Sequence, residues 1–434
     1  MTGTERGAPL VVVGGGVLGL CTAYYLRQAG SDVVLLDRAT PGSGASWGNA
    51  GWVCQSLSTP VPAPGIVGHA ARTIGRPQAP VYLRPELTPE FARWMWHFWR
   101  ATSPARFAAS ATALTSLIAP AFDQLAELED AGLDTSLTRP GLVHAFLSAE
   151  IARDTLQTQQ RFAAGVAPVP EMVLTGSRAR ALDPALGAEV AAGYLVPGEG
   201  LVNPEVFTAA VTKWLIEHDV AIHEHTTATG FEINGGRVTG VLHPHGWIPC
   251  AGVVVAAGTW SGGVLRELGV DLPLQAGKGY SFSVALPSPP QRPLYLGDKH
   301  IVASPMAGMT RLAGTMEFSG NNLRLDWRRI VSIALASRHY LGDWFTSPDE
   351  LMGRISSPWV GGRPMLPDGL PVIDRLSHLP NAFVSTGHGM LGIALGTASG
   401  KALAQFIVTG KRPRVLDPFT LGRLPGRRGL LPRD

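Results

Sequence analysis

The sequence predicts a mixed fold, α/β in one part and α+β in another. One part is a parallel sheet wound with helices, and the other is a mainly antiparallel sheet with flanking helices. Three segments of the 434-residue chain predict the first part: residues 10–37, 224–263 and 381–400. The first reads as strand, glycine turn, helix and strand. The second reads as a strand pair plus a further strand, and the third as strand, glycine turn and helix. At this length, two intertwined domains are expected.

The composition indicates a globular protein. Hydrophobic residues make up 45% and charged residues 16% of the chain, which allows a buried core and lacks the charge-rich signature of disorder. The formal net charge is +3, and part of this excess lies in a basic tail at residues 421–434, with Arg423, Arg427, Arg428 and Arg433. A solvated tail accounts for it, so we expect no nucleic-acid partner.

The cysteines and the N-terminus indicate the compartment. Cys21, Cys54 and Cys250 are far apart and form no C-x-x-C pair, so neither a metal site nor a disulfide framework is predicted. The N-terminus lacks a signal-peptide pattern, and no stretch reaches the roughly 20 apolar residues that span a bilayer. We expect a cytoplasmic protein, at most peripheral on the inner face of the membrane.

The first element is a strand followed directly by a glycine turn. Leu10–Val13 is short, apolar and rich in β-branched residues, as in a buried parallel strand. Gly14, Gly16 and Gly19 then give G-x-G-x-x-G, and Leu18–Arg27 has the apolar spacing of a helix. In such a turn the free N–H groups and the dipole of the helix N-terminus hold phosphates.

A second strand and an acid complete this unit. The strand runs from Asp32 to Leu36 and ends at Asp37, about 20 residues after the glycines, as in dinucleotide-binding units. Gly14 makes the tight turn, Gly16 lets the backbone approach a pyrophosphate, and Gly19 allows close helix packing. Asp37 is expected to accept hydrogen bonds from ribose hydroxyls. The unit alone leaves NAD and FAD open, because both use it.

The next segment carries a family resemblance. Residues 38–51 read RATPGSGASWGNAG, and their small residues and hydroxyls suit close contact with phosphate oxygens. The segment resembles the stretch that wraps the pyrophosphate and leads to the flavin in the D-amino acid oxidase/dehydrogenase family of FAD-dependent oxidoreductases. Its Asn-Ala-Gly ending resembles the bacterial D-amino acid dehydrogenase branch.

Two later segments extend the resemblance. Residues 224–241 place two strands around an Asn-Gly hairpin signal, and residues 252–263 form a strand that ends in Ala-Ala-Gly. They resemble the family's β-meander and the strand end beside its cofactor, with the Ala228 backbone at the adenine. Residues 381–400 resemble the strand, turn and helix whose N-terminus stabilises negative charge at the edge of a reduced flavin.

The resemblance implies a set of FAD-binding positions in four segments, residues 10–37, 38–51, 224–263 and 381–400. They are Gly14, Gly16, Val17, Gly19, Asp37, Arg38, Gly44, Ala45, Ser46, Asn49, Ala50, Gly51, Ala228, Ala257, Gly258, Gly387, Gly389, Met390, Leu391 and Gly392. Gly48 stands near the position where dimethylglycine dehydrogenase-like relatives carry a histidine bonded covalently to flavin. Noncovalent FAD is therefore expected.

The substrate side is indicated by an arginine. Residues 361–369 (GGRPMLPDG) resemble the family's G-x-R-P segment, whose arginine binds the substrate carboxylate. The planar fork of Arg363 suits a carboxylate, which it can bind bidentately. Residues 278–281 and 300–317 resemble strands of the family's sheet over the flavin. Tyr280, Tyr295 and His300 are candidate pocket residues, with core or sheet packing as the alternative. His388, in a turn at the flavin edge, is a candidate for proton exchange or for a structural role.

Two departures from the family bear on the reaction. Met390 stands where glycine oxidase-like relatives carry a second arginine, which indicates a more apolar pocket. The strand at residues 311–314 lacks the lysine that sarcosine oxidase-like relatives use to activate oxygen. The resemblance thus implies oxidation of a small amino acid, a D-amino acid or a cyclic imino acid. By the same resemblance, a hydride would pass from Cα to flavin N5, and the imine would hydrolyse to a 2-oxo acid.

The electron acceptor is expected to be a quinone or oxygen. An oxidase that makes hydrogen peroxide and an FAD-binding subunit of a multi-subunit amine dehydrogenase are the alternatives. The implied architecture is discontinuous. Residues 1–75, 195–275 and 365–420 form the FAD-binding domain, and residues 76–194 and 276–364 form the substrate-binding domain.

Residues 89–131 are helical by pattern and dense in aromatic side chains. Phe91, Trp94, Trp96, Phe98 and Trp99 fall within nine consecutive positions, with basic residues interleaved. Core packing and a membrane-interface role are both consistent with this pattern, because tryptophan favours that interface.

Overall fold

A computed structural model describes residues 7–66, 68, 81–84, 88–163 and 165–424. The predicted boundary at residues 75/76 and the arginines at 427, 428 and 433 lie outside the described residues. The strands are β1 Leu10–Val13, β2 Val33–Leu36, β3 Trp52–Val53, β4 Val81–Leu83, β5 Leu142–Phe146, β6 Leu174–Thr175, β7 Ala192–Val196, β8 Gly200–Leu201, β9 Ala221–His223, β10 Gly230–Asn234, β11 Arg237–His243, β12 Gly246–Pro249, β13 Gly252–Val255, β14 Gln275–Val284, β15 Leu294–Leu296, β16 Ile301–Met306, β17 Met309–Phe318, β18 Ser356–Met365, β19 Val372–Arg375 and β20 Ala382–Thr386. The α-helices are α1 Val17–Gln28, α2 Pro89–Ala101, α3 Pro104–Ile118, α4 Ala121–Asp130, α5 Ala149–Phe162, α6 Ser177–Arg180, α7 Pro204–Glu217, α8 Ser261–Arg266, α9 Trp327–Leu341, α10 Pro348–Arg354 and α11 Gly392–Thr409.

The first sheet has six strands in the order β19-β20-β13-β1-β2-β9. All neighbours in it are parallel except the edge pair β19–β20. Its strands come from the start, the middle and the end of the chain, as the predicted parallel sheet requires. The carboxyl ends of β1, β2 and β13 therefore meet at one edge, where ligands bind in such sheets.

Strand β1, in the interior of the first sheet, is buried on both faces. In β1, Val12 packs into one hydrophobic cluster with α1 and α11, while Val11 and Val13 pack into a second cluster on the opposite face. This explains why β1 reads as a continuous apolar run, because a strand buried on both faces needs no polar alternation.

Two glycine contacts set the packing of α1. A Cβ on Gly19 would lie only 1.8 Å from the Gly14 carbonyl oxygen, so the helix lies directly against the turn that precedes it. A Cβ on Gly400, in α11, would lie 2.8 Å from the backbone carbon of Cys21. Larger residues at either position would push α1 away from its neighbours.

The second sheet has nine strands and is mainly antiparallel, in the order β18-β14-β17-β16-β15-β5-β7-β6, with β4 paired to β17. This confirms the predicted second sheet and the strands expected around Tyr280 and across residues 300–317. The β-meander is a separate three-stranded sheet, β10-β11-β12. Its third strand, β12, was missed because residues 246–249 are short and begin with glycine.

The helical segment at residues 89–131 is divided into α2, α3 and α4. Pro104 begins α3 and Pro120 precedes α4, because proline fits the first turn of a helix but not its interior. Phe91, Trp94 and Phe98 are buried, whereas Trp96 and Trp99 are about half exposed, at 54% and 51%. Among the described residues, no helix has the length and the apolar character that crossing a membrane demands.

Candidate active site

Two adjoining cavities lie between the two sheets. The smaller one, of about 350 Å³, lies at the carboxyl ends of β1, β2 and β13. The larger one, of about 530 Å³, is bounded mostly by the second sheet and α2. Ala45, Asn49 and Gly389 line both, so the cavities meet at these residues.

The acid at the end of β2 is tied to the glycine turn. Asp37 Oδ2 accepts a hydrogen bond from the Gly15 N–H at 2.6 Å, and Oδ1 accepts one from the Ala39 N–H at 2.7 Å. Desolvation raises the pKa of Asp37 above its ordinary value, partly offset by these two hydrogen bonds. The carboxylate lines the smaller cavity, at the place expected for a ribose partner.

The start of α1 is held by the segment that resembles the family. Ser46 Oγ accepts a hydrogen bond from the Val17 N–H at 3.0 Å, which satisfies one first-turn donor of the helix. The Gly42 N–H donates to the Gly15 carbonyl at 2.8 Å. The small residues at 42–46 therefore lie directly over the helix N-terminus, which leaves room there for a phosphate group.

Three residues of the second sheet hold residues 47–50, and sequence reasoning missed all of them. Arg311 Nη1 donates to the carbonyls of Trp47 and Asn49, at 3.0 and 3.1 Å. Ser281 Oγ donates to the Gly48 carbonyl, and Ser304 Oγ donates to the Ala50 carbonyl. These contacts join positions more than 200 apart in the chain, so no local pattern could reveal them.

Arg311 is itself fixed by a charge partner. Its Nη2 lies 2.6 Å from Oε1 of Glu205, near the start of α7. The Arg311 side chain is only 7% exposed. This partner and the carbonyls that it binds therefore compensate the cost of burying its guanidinium.

The far end of the smaller cavity has an aromatic wall. The Arg38 guanidinium lies over the Trp260 ring, 3.5 Å from its centroid, and both residues line the cavity with Ala228. Trp260 was not predicted, because a single aromatic residue after the Ala-Ala-Gly strand end gives no signal of its own.

The structure brings most of the predicted FAD-binding residues to these cavities. Those that line the smaller cavity are Gly14, Gly16, Val17, Asp37, Arg38, Gly44, Ala45, Ser46, Asn49, Ala228, Ala257, Gly258, Gly389 and Gly392. Ala50, Met390 and Leu391 line the larger one, whereas Gly19, Gly51 and Gly387 line neither. For Gly19 the contact with Gly14 gives the reason, since this glycine serves helix packing.

Arg363 faces the larger cavity without an acid beside it. Its Nη1 donates to the Thr315 carbonyl at 2.8 Å, and it forms no ion pair with a described acid. Desolvation lowers the pKa of the guanidinium to about 10. Among the described residues that line this cavity there is no aspartate, glutamate or lysine. An anionic ligand would therefore complete the site.

Two neighbours shape the position of Arg363. A Cβ on Gly279, on the adjacent strand β14, would lie 2.2 Å from Arg363 Cζ, so a side chain there would displace the guanidinium. Thr315, whose carbonyl binds the guanidinium, has φ +62°. That conformation is costly for a β-branched residue, and it marks a strained position beside the site.

Tyr280 belongs to a buried charged network behind the cavity. Its hydroxyl donates to Glu317 Oε2 at 2.8 Å, and Lys278 Nζ lies 2.7 Å from Glu317 Oε1. Burial alone would raise the pKa of Glu317, but hydrogen bonds from Lys278, Ser319 and Tyr280 lower it below its ordinary value. Glu317 is thus ionised at neutral pH, and it fixes the Tyr280 hydroxyl.

The remaining candidates occupy different places. Tyr295 and the exposed His300 line the larger cavity, with the Tyr295 hydroxyl 2.7 Å from His300 Nδ1. His388 is buried and lines the smaller cavity, with Nε2 2.9 Å from Ser399 Oγ. Desolvation lowers the pKa of His388 to about 3, so its ring is neutral at physiological pH.

The residues present fit an FAD group. Beside the smaller cavity, Thr259 Oγ1, Ser385 Oγ and His388 Nδ1 are buried without a hydrogen-bond partner among the described residues. Buried polar atoms are usually satisfied, so a polar ligand is expected there. The glycine turn, Asp37 and the segment at 42–46 would supply the phosphate and ribose contacts of a dinucleotide.

Comparison with known proteins identifies the family. Residues 9–406 match the family described as DAO, FAD dependent oxidoreductase. The chain belongs to this family, so it is an FAD-dependent oxidoreductase and FAD is its cofactor.

Relatives and solved structures resemble nearly the whole chain. It is 29% identical to a D-amino acid dehydrogenase of Bradyrhizobium diazoefficiens, over 97% of this chain and 100% of that protein. It is 28% identical to a D-amino acid dehydrogenase of Granulibacter bethesdensis, over 94% and 97%. Glycine oxidase from Geobacillus kaustophilus shares the fold with a TM-score of 0.74 at 22% identity, covering 96% of this chain and 99% of that one. L-Proline dehydrogenase from P. horikoshii does so with a TM-score of 0.72 at 17% identity, over 97% and 99%.

Proposed function

We propose that this protein oxidises the carbon–nitrogen bond of an amino acid, a D-amino acid or a cyclic imino acid, with noncovalently bound FAD. The observation that carries the proposal is Arg363, a cation without an acidic partner among the described residues, in the wall of a cavity that adjoins the nucleotide site. The names of the D-amino acid dehydrogenases that it resembles support the same substrate class.

In this proposal each residue has a task that the chain itself supplies. Arg363 binds the substrate carboxylate and, through its contact with the Thr315 carbonyl, fixes the orientation of Cα. Bound FAD supplies the acceptor for the hydride that leaves Cα. Tyr280, Tyr295 and His300 form the polar part of the substrate wall, while His388, neutral and paired with Ser399, supports the turn at the cofactor.

We further propose a quinone as the electron acceptor in place of oxygen. The larger cavity has no lysine among its described lining residues, and Lys278 on the nearby strand β14 is paired with Glu317. Trp96 and Trp99, exposed on α2 with their rings 5.1 Å apart, support a peripheral membrane contact that would bring a quinone within reach.

The proposal is tested by an anaerobic visible spectrum of the purified holoenzyme. The protein is titrated with D- and L-amino acids, sarcosine, glycine and proline derivatives. Bleaching of the flavin absorbance by D-amino acids or proline derivatives is the expected result, and reoxidation by a quinone analogue faster than by oxygen supports the acceptor. A flavin that none of these compounds bleaches would contradict the proposed function.

An arginine variant links the reaction to the site. Arg363→Met should bind FAD normally but lose bleaching at amino acid concentrations that reduce the wild type fully, because the carboxylate then has no charge partner. Arg338→Met, on the surface of α9, is the matched control and should behave as wild type. Equal reduction of both variants would exclude Arg363 as the carboxylate ligand.

A further inference from the structure

The larger cavity has an apolar chamber on the side of α2. It is formed by Val61, Ile66, Val81, Leu83, Trp94, Met95, Phe98, Met316 and Phe318, which pack as one hydrophobic cluster and line the cavity together. None of them lines the smaller, nucleotide-side cavity. The chamber therefore belongs to the larger cavity alone.

Aromatic rings form much of the chamber wall. The Trp94 and Phe98 rings stack with centroids 5.1 Å apart, and Trp94 meets Phe318 with centroids 5.3 Å apart. Trp94 Nε1 is buried without a hydrogen-bond partner among the described residues. This N–H can donate to a neutral oxygen such as a phenol, but one neutral donor offsets only part of the cost of burying a charge.

The chamber lies beside the carboxylate-binding arginine. Arg363 Nη1 is 3.7 Å from Sδ of Met316, which belongs to the chamber. Glycine at 277 leaves room for Met316, because a Cβ there would lie 2.5 Å from its sulfur. A ligand whose carboxylate binds Arg363 therefore has the chamber within reach of its side chain.

From these contacts we infer that the preferred substrate carries a bulky, uncharged side chain, an aromatic ring above all, that fills the apolar chamber. The inference rests on the proposed function, and it replaces the small amino acid that the sequence led us to expect. A ring would bury its whole surface against apolar and aromatic side chains. A lysine or glutamate side chain would bring an unpaired charge into the chamber.

Substrate preference tests the inference in the holoenzyme. The value of kcat/KM for D-phenylalanine should exceed that for D-alanine by roughly tenfold to a hundredfold, as expected for burial of one large apolar side chain. D-Lysine and D-glutamate should fall below D-alanine. Preference for D-alanine or for a charged amino acid would overturn the inference and leave the proposed function standing.

A binding measurement separates the inference from turnover. Calorimetry should show that 3-phenylpropionate binds the holoenzyme at least about tenfold more tightly than propionate. If both bind equally, the chamber is not the side-chain site. If 3-phenylpropionate binds more tightly but no amino acid is oxidised, the proposed function is wrong and the aromatic carboxylate site stands.

A variant that fills the chamber gives a third test. Val81→Phe should lower the ratio of 3-phenylpropionate to propionate affinity by about tenfold, because it occupies the space of the ligand ring. Val408→Phe, at a half-exposed position on α11, is the matched control and should leave the ratio unchanged. Propionate binding by the Val81 variant shows that its site is folded, and an unchanged ratio in that variant would overturn the inference.

Discussion

The indole of Trp359 occupies the space that a side chain at position 48 would need. A Cβ on Gly48 would lie 2.1 Å from Trp359 Cδ2, and Gly361 is pressed against the same ring, with a Cβ there 1.9 Å from Cη2. Both contacts are with the bulky Trp359 indole, so a side chain at either position would have to displace that ring. A histidine at position 48 would collide with this wall, and this supports noncovalent FAD.

Gly48→Ala should destabilise the fold by about 1–3 kcal/mol, as overpacking does in a filled core. In the Trp359→Ala background, Gly48→Ala should cost much less than in the wild type, and chemical denaturation of the four proteins of this cycle measures the difference. Gly263→Ala, where a Cβ meets nothing within 4 Å, is the control and should cost nothing. Additive losses in the double variant would show that the ring is not the obstacle.

Noncovalent FAD should also be released when the protein is denatured. Acid precipitation of the holoenzyme should leave a colourless pellet and yellow FAD in the supernatant. A pellet that keeps its flavin absorbance would indicate a covalent bond at some other residue.

Arg311→Lys should weaken FAD binding by at least about tenfold, because lysine cannot bind the carbonyls of Trp47 and Asn49 together with Glu205. Fluorescence titration of the apoprotein with FAD measures this change. Arg338→Lys, whose partner Asp343 lies on the surface, should bind FAD as the wild type does. Equal FAD affinities of the two variants would show that Arg311 does not position residues 47–50.

The affinity for a simple carboxylate should depend on pH through Arg363. Its pKa is lowered to about 10, so the guanidinium is charged at neutral pH and becomes neutral as the pH rises through that value. Propionate affinity should be constant from pH 7 to about 9 and fall above about 10, by up to tenfold per pH unit. Calorimetry at constant ionic strength, with circular dichroism to verify the fold, tests this. No decline up to pH 11 in a folded protein would contradict it.

Thr315→Gly should stabilise the fold by up to about 1 kcal/mol, because glycine adopts φ +62° without the cost that a Cβ adds. The same change should weaken propionate binding by roughly twofold to tenfold, as the carbonyl that fixes Arg363 becomes less constrained. Ala307→Gly, at φ +50° in a turn away from the cavities, should gain stability without affecting binding. Unchanged propionate affinity in Thr315→Gly would show that the strain has no role in the site.

Local sequence patterns predicted the parallel sheet, the glycine turn and the strands of the second sheet, because each reports on neighbours within one element. Arg311, Ser281 and Ser304 could not be found in this way. Their function depends on pairing between β14, β16 and β17 and the segment at 47–50, which no spacing encodes. The segment at 89–131 was likewise predicted only as helical. Its pattern did not indicate that Trp94 and Phe98 would line a cavity, or that Trp96 and Trp99 would face outward.

The contact between Gly400 and Cys21 has a consequence for protein engineering. The backbones of α1 and α11 touch there. This contact fixes the distance between the two helix starts, one at the glycine turn and one after residues 387–391. A chimera that takes one of these helices from a relative inherits a gap or a clash at the other. The two helices should therefore be exchanged together, as a single grafted unit.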